Sequence, residues 1–267
     1  VIPWIFLDNI SVGSYRVFHD FLRFLTEIFI IFFIYKLSFV YNLKNKEHNI
    51  FLILLLFFSI SLNRDLTETF YPFRYRDIPI FIMLILSINF LKFDKNSYIT
   101  PTLIGFLSFL SLFWSLDRGI YLIVAIIFLF MLAMLKKRHL AASLLLIGFS
   151  TSLLLSIILF GSTEIKDFYK NTLNIVKYFD LYAGSSYPTV FDLKNSHSSR
   201  GSINLFIIIV NGFLLSLFLL KSNLQLTENS KISFIFLYFI SILVYKSALS
   251  VPDSYHMKQS IYLSKIL

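Results

Sequence analysis

The chain has no cysteine and is poor in charged residues, glycine and proline. Among its 267 residues, charged side chains make up 15%, and there are 8 glycines and 6 prolines. Without a thiol, disulfide bonds, cysteine catalysis and thiolate metal sites are excluded. So little charge, beside 57% hydrophobic residues and a mean hydropathy of +0.76, excludes an ordinary soluble domain. The composition therefore indicates an integral membrane protein.

The hydrophobic residues fall in separate runs divided by short polar stretches. Each run holds roughly 13 to 20 residues, which suits a helix that crosses about 30 Å of hydrocarbon. We therefore predict an all-α fold, a polytopic bundle of about eight transmembrane helices in one domain over residues 1–267. Because the chain begins with Val1 in a polar stretch without a signal peptide, we expect a fragment that lacks N-terminal spans. The predicted spans are 22–41, 50–62, 78–92, 99–116, 119–135, 140–160, 203–221 and 232–249.

The charges between these runs are sorted by type. One set of loops carries almost only lysine, whereas the alternate loops carry the acids and most of the arginines. Because short cytoplasmic loops are enriched in Lys and Arg, the lysine loops are predicted to be cytoplasmic and the others external. This explains a net charge of +9 without nucleic acid, and it predicts a multi-pass membrane protein with a defined orientation. The cytoplasmic set is Lys44, Lys46, Lys92, Lys95, Lys136, Lys137, Arg138, Lys221 and Lys231.

The segment NRDLTETFYPFRYRD, residues 63–77, gathers arginines, acids and aromatic residues beside two short spans. Arg74 and Arg76 could hold a phosphate by forked, charge-assisted hydrogen bonds. Asp65 or Glu68 would then serve as general base. The alternative is an interfacial aromatic belt whose arginines contact lipid headgroups.

The segment WSLDRGIY places Asp117 and Arg118 between two spans with almost no loop. So tight a turn would preorganise the acid and the arginine for a substrate, with Arg118 on phosphate and Asp117 as a further candidate base. The alternative interpretation is that Asp117 caps the following helix and Gly119 lets the backbone turn.

The connection 161–202 is the longest outside the predicted spans. Apolar residues recur at helical spacing from Glu164 to Tyr182, which predicts an amphipathic helix on the external membrane surface, ended by Gly184. The polar stretch after it could cover a site, or it could be a plain connector.

Near the end of the chain, VPDSYHMK places Asp253 and His256 three positions apart. On a helix they would share a face, where the acid could orient the histidine as a supporting group. Two ligands alone do not define a metal site, so no metal residue is assigned and a divalent metal stays open as a cofactor.

Together, the blocks RYRDIP, WSLDRGIY and VPDSYHMK, the external acids and arginines and the surface helix resemble the polytopic glycosyltransferases of the GT-C fold. The resemblance implies transfer of a sugar from a polyprenyl-phosphate donor to a glycan, lipid or protein acceptor on the external face. It further implies that an acid in the first external loop is the base and that basic residues hold the donor phosphate. Asp8 and Asp20 are the acids before the first predicted span, so Asp8 joins the candidate bases.

Other functions remain alternatives. An O-antigen polymerase or ligase would share the lipid-linked donor, the external arginines and the long external loop. A multi-pass transporter would place ionisable or helix-breaking residues at mid-membrane and would show repeated halves. The centres of these spans carry almost no charge and no internal repeat is evident, which favours chemistry at the membrane surface. A non-catalytic membrane subunit is the remaining alternative.

The absence of cysteine makes the predicted orientation directly testable. In intact cells, a membrane-impermeant maleimide should label a Ser185→Cys variant, because residues 161–202 are predicted to be external. A Lys137→Cys variant should be labelled only after the membrane is permeabilised. Labelling of Lys137→Cys in intact cells would contradict the predicted orientation.

Overall fold

The computed structural model is built from helices. Two compact units divide the chain, Val1–Leu155 and Ser156–Leu267, and each is described by itself. The structure describes residues 12–40, 47, 49–50, 54, 75–91, 97–178, 196–220, 228–250 and 263–264.

Eight α-helices and one short 3-10 helix, Tyr75–Asp77, occupy the described residues, which contain no strand. The prediction of an all-α membrane protein is confirmed. In chain order the α-helices are α1 Val12–Val40, α2 Ile78–Phe90, α3 Ile99–Trp114, α4 Leu116–Leu135, α5 His139–Phe160, α6 Ser162–Lys177, α7 Ser196–Leu220 and α8 Glu228–Ser250.

The predicted spans coincide with helices wherever the structure describes them. The first span falls within α1, and those from 78–92 onward match α2, α3, α4, α5, α7 and α8; the span predicted at 50–62 lies almost wholly outside the described residues. Four helices are long and apolar enough to cross a membrane, Leu116–Leu135, His139–Phe160, Gly201–Leu220 and Glu228–Lys246. Helices α2 and α3 are shorter, with 13 and 16 residues.

In the first unit, α2 is the buried centre. It packs against α1, α3 and α4, and side chains on all of its faces are buried, among them Ile80, Phe81 and Met83. Its 13 residues are apolar all round, which is the pattern of a helix surrounded by protein. At a rise of 1.5 Å per residue it is roughly 20 Å long, too short to cross the hydrocarbon alone. Phe33 of α1 meets Phe81 with the ring centroids 6.0 Å apart.

Close backbone contacts hold α3 against its neighbours. A Cβ added to Gly119 of α4 would lie 2.6 Å from the Cα of Leu112, so the two helices of this hairpin touch at that point. A Cβ at Gly105 of α3 would meet the carbonyl oxygen of Leu145, and one at Gly148 of α5 would meet the carbonyl oxygen of Thr102. Such small residues permit close helix packing in membranes.

In the second unit, tyrosine and asparagine side chains join the helices. Tyr238 Oη of α8 donates a hydrogen bond to the carbonyl of Ile208 at 3.1 Å, and Tyr245 Oη donates to that of Gly201 at 2.9 Å. Asn211 Nδ2 of α7 donates to the carbonyl of Ser264 at 2.6 Å. Along Gly201–Leu220 only Gly201, Ser202 and Ile208 are buried although the helix is strongly apolar, as expected of a helix that faces lipid.

Helix α6 is amphipathic, as predicted, but it ends earlier than expected. It begins after Gly161, whose φ of 91° lies in the left-handed region that glycine tolerates. It ends at Lys177, because the backbone at Tyr178 leaves the helical region with φ −110° and ψ 27°; the predicted end at Gly184 lies outside the described residues. The external location of α6 stays a prediction.

The packing of α3 on α5 predicts the effect of one methyl group. Gly148→Ala should destabilise the protein by about 1–3 kcal/mol, because the new Cβ would overlap the Thr102 carbonyl and separate the helices. The better helix propensity of alanine offsets only part of this cost. Thermal unfolding in detergent measures the difference, with Ser150→Ala on the exposed side of α5 as control. Equal unfolding temperatures for the two variants would contradict the packing.

Candidate functional site

Asp77 ends the 3-10 helix and occupies the N-cap position of α2, where the motif RYRDIP places Pro79 in the first turn. Proline suits that position because its fixed φ is already helical. An aspartate there usually accepts a hydrogen bond from its own helix. Here its side chain makes no cap hydrogen bond and accepts one from Arg118 Nε at 2.7 Å. Asp77 is fully buried, so this carboxylate is committed to a contact between helices.

Asp117 lies in the first turn of α4, directly before Arg118. Ser115 is the N-cap residue, with extended backbone, and its side chain makes no capping hydrogen bond to a backbone amide of α4. Its Oγ donates instead to Asp117 Oδ1 at 2.5 Å, while Arg118 Nη1 donates to Asp117 Oδ2 at 2.8 Å. Both oxygens of Asp117 are therefore held, yet 46% of its side chain is exposed. Asp117 is thus a positioned carboxylate with an open face.

Arg118 links the two carboxylates. The residue is only 1% exposed, and it has the largest side chain of the fully buried residues that the structure describes. The Tyr121 ring lies one turn further along α4, with its centroid 5.7 Å from the Arg118 guanidinium carbon. Burying a cation is expensive unless it is paired and hydrogen-bonded, and ionisable groups inside membrane helices commonly mark functional sites.

Arg76 supplies the exposed charge of the site. It lies in the 3-10 helix directly before Asp77, and its side chain is exposed. Its charge acts electrostatically on the carboxylate of Asp117. Arg76 makes no hydrogen bond or ion pair to another residue within the described part of the chain. The four charged groups, Arg76, Asp77, Asp117 and Arg118, are two cations and two anions, so the cluster is formally neutral. We call these four residues and Ser115 the ion-pair cluster.

Helix packing assembles the cluster. The contact between Gly119 and Leu112 keeps the hairpin of α3 and α4 tight, so that Ser115 and Asp117 remain beside the N-terminus of α2. The two carboxylates lie at the N-termini of α2 and α4, where the positive end of the helix dipole stabilises an anion. The N-cap residues Asp77 and Ser115 thus make no capping hydrogen bond, and their side chains bond to Arg118 and Asp117 within the ion-pair cluster.

The structure brings together three of the residues that the sequence singles out, Arg76, Asp117 and Arg118. Arg118 was predicted to bind phosphate, but here it is buried between carboxylates. The alternative interpretation of this segment is wrong in both parts. Ser115, not Asp117, occupies the N-cap position, and Gly119 lies inside α4, where it allows close packing. The other candidates, Asp8, Asp65, Glu68, Arg74, Asp253 and His256, lie outside the described residues.

Sequence reasoning missed Asp77 and Ser115 as site residues. Asp77 was visible as an external acid before Ile-Pro, but nothing local connects it with Arg118, 41 positions later. Ser115 has the pattern of an ordinary helix cap, and only its neighbour Asp117 marks it as different.

Comparison of the chain with protein-family models, curated proteins and solved structures gave no match. Within the described residues, no three or more potential metal-ligating side chains come together. The geometry of the ion-pair cluster is therefore the basis for a functional proposal.

The buried pair in this cluster predicts non-additive mutational effects. Arg118→Met and Asp77→Leu should each cost about 3–5 kcal/mol, because the first removes the guanidinium that pairs with the buried Asp77 carboxylate and the second leaves the buried guanidinium with only the half-exposed Asp117. The double variant should cost less than the sum, since it leaves no uncompensated charge between these two positions. Unfolding in detergent micelles gives the free energies. The exposed Arg76→Met is the control and should change stability by less than about 0.5 kcal/mol. Additive single and double effects would contradict the coupling.

Proposed function

We propose that this protein is a membrane glycosyltransferase that moves a sugar from a polyprenyl-phosphate donor to a hydroxyl acceptor on the external face. The observation that carries the proposal is the placement of Asp117: a half-exposed carboxylate, fixed by Ser115 and Arg118, beside the exposed cation of Arg76. A candidate base, Asp117, and a cation that can bind phosphate, Arg76, thus lie close together at the ends of apolar helices.

The reaction needs both groups. Asp117 accepts the proton of the acceptor hydroxyl as the acceptor oxygen forms its bond to the anomeric carbon. The bond between that carbon and the phosphate oxygen breaks at the same time, and the polyprenyl phosphate leaves with the electron pair. Arg76 stabilises the charge on the departing phosphate by charge-assisted hydrogen bonds. Because attack and departure occur on opposite sides of the carbon, the anomeric configuration inverts.

Arg118 has a different role in this proposal from the one that the sequence predicts. Its guanidinium already meets Asp77 and Asp117, and it is buried, which makes it a poor receptor for a large lipid phosphate. It is instead a positioning residue. It holds the carboxylate of Asp117 and is itself held by the buried Asp77. Little freedom of the Asp117 side chain is therefore lost when substrate binds.

The membrane setting suits such a donor. Its lipid tail would lie beside the apolar helices while its phosphate stays at the boundary, where few waters compete with Arg76 for the developing charge. The proposed acceptor is a glycan, lipid or protein hydroxyl, and the proposed location is the periplasmic face of a bacterial inner membrane. The location rests on the sorting of lysine from the external acids and arginines.

Two substitutions test the assignment. Asp117→Asn should lower transfer by about 10²- to 10⁴-fold, because the amide cannot accept the proton. Arg76→Ala should reduce donor use, and Arg76→Lys should recover part of it, since lysine keeps the charge but loses the forked geometry. The assay incubates membranes that carry the full-length protein with radiolabelled polyprenyl-phosphate sugars, at matched expression.

The control is Lys166→Ala, which removes an exposed cation of α6 outside the cluster. Wild-type activity is expected for this control. If Arg76→Ala and Asp117→Asn turn over donor as fast as wild type, the cluster is not the catalytic site. If wild type transfers no sugar from any donor but moves solutes across sealed vesicles, the protein is a transporter.

A further inference from the structure

A cleft of about 410 Å³ lies at the other end of α2, α3 and α4 from the ion-pair cluster. The C-terminal end of α2, the start of α3 and the short connection from α4 to α5 form its walls. Since α2 is roughly 20 Å long, the cleft and the cluster lie at opposite ends of the same helices. Its polar lining consists of Asn89, Ser97, Tyr98, Lys137, Arg138 and His139.

The lining is cationic. Lys137 and Arg138 bring two fixed positive charges, His139 adds a third basic side chain, and no acid occurs among the described lining residues. Tyr98 adds a hydroxyl group on the opposite wall, whereas the Ser97 hydroxyl already donates to Thr100 Oγ1 at 2.9 Å. A guanidinium, an ammonium and a hydroxyl donor around one cleft are groups that bind phosphate oxygens.

The backbone favours the same ligand. Helix α5 begins at His139, so the amides of its first turn, at His139, Leu140 and Ala141, have no acceptor within the helix. All three residues line the cleft. An anion there gains from these donors and from the positive end of the helix dipole.

Lys137 lies where a glycine is expected. The amide of Lys137 donates to the carbonyl of Met134 at 3.0 Å, and that of Arg138 donates to the carbonyl of Ala133 at 2.8 Å, which is the Schellman pattern at the end of α4. The residue in the left-handed position of that pattern is usually glycine, but here Lys137 adopts φ 55°. A left-handed conformation has an energetic cost for a residue that carries a side chain. The chain accepts this cost and gains a cation at the cleft.

From this geometry we propose that the cleft binds an anionic phosphate group, either free or as a phosphomonoester. Lys137 and Arg138 contact its oxygens, and the backbone amides of the first turn of α5 donate hydrogen bonds to it. The same chemistry is offered by the headgroup of an anionic lipid and by a soluble phosphate. This site is independent of the proposed transferase site. The alternative is that these cations serve only to orient the helices. Orientation depends on how many Lys and Arg the loop contains, and it does not depend on which of them line a cleft.

The test uses the full chain with 3-fluorotyrosine at Tyr98, whose fluorine resonance reports on the cleft. One arm titrates inorganic phosphate into protein in phosphatidylcholine nanodiscs. The other arm compares these nanodiscs with nanodiscs that also contain phosphatidic acid. A saturable shift with inorganic phosphate identifies a soluble anion, and a shift with phosphatidic acid alone identifies a lipid headgroup; either result supports the site.

The matched variants are Arg138→Gln in the cleft and Lys136→Gln, which removes the same charge from the same connection without lining the cleft. Arg138→Gln should weaken binding by about tenfold, since one charge-assisted bond is lost, and Lys136→Gln should leave it nearly unchanged. His139→Ala provides a second cleft variant should Arg138→Gln fail to fold. No shift with either probe, or equal weakening by the cleft variants and Lys136→Gln, would overturn the proposal.

Discussion

The first unit is organised around the burial of one guanidinium. Arg118 lies between a fully buried carboxylate from the start of α2 and a half-exposed carboxylate in its own helix. Because an unpaired cation at this depth would cost several kcal/mol, α2 and α4 must keep the register that brings Asp77 to Arg118. That register in turn fixes which helix ends meet and which residues lie on the exposed rim.

Apolar packing and this ion pair have complementary roles. The aliphatic and aromatic side chains around α2 favour a buried central helix, but in lipid they give little preference for one arrangement of apolar surfaces over another. Specific arrangements come from close backbone contacts at Gly105, Gly119 and Gly148 and from the ion pair. In the second unit, tyrosine hydroxyls bonded to helix carbonyls have the equivalent role.

The two proposed sites use the same helices in opposite ways. At one end, two helix N-termini stabilise carboxylates, and the net charge of the described groups is zero. At the other end, the start of α5 and the Lys137-Arg138 pair leave positive charge without an acid among the described lining residues. A carboxylate beside an exposed arginine suits acid–base chemistry on a phosphate-linked sugar, whereas a cleft lined by cations suits binding of an anion. The ends of a helix bundle thus differ in chemistry because the charges were sorted along the chain.

The sequence by itself determined the class of protein, the position of nearly every described helix and the sorting of charge between loops. These follow from hydropathy, run length and local composition, which depend only on neighbouring residues. It also pointed to Arg76, Asp117 and Arg118, because charge beside an apolar run is conspicuous. Only the tertiary structure decided that Arg118 is buried, that Asp77 accepts its hydrogen bond from Arg118 and Ser115 donates to Asp117 in place of capping bonds, and that α6 ends at Lys177. The partners of a side chain are decided by which helices pack together, and a contact across 41 positions leaves no local pattern to read.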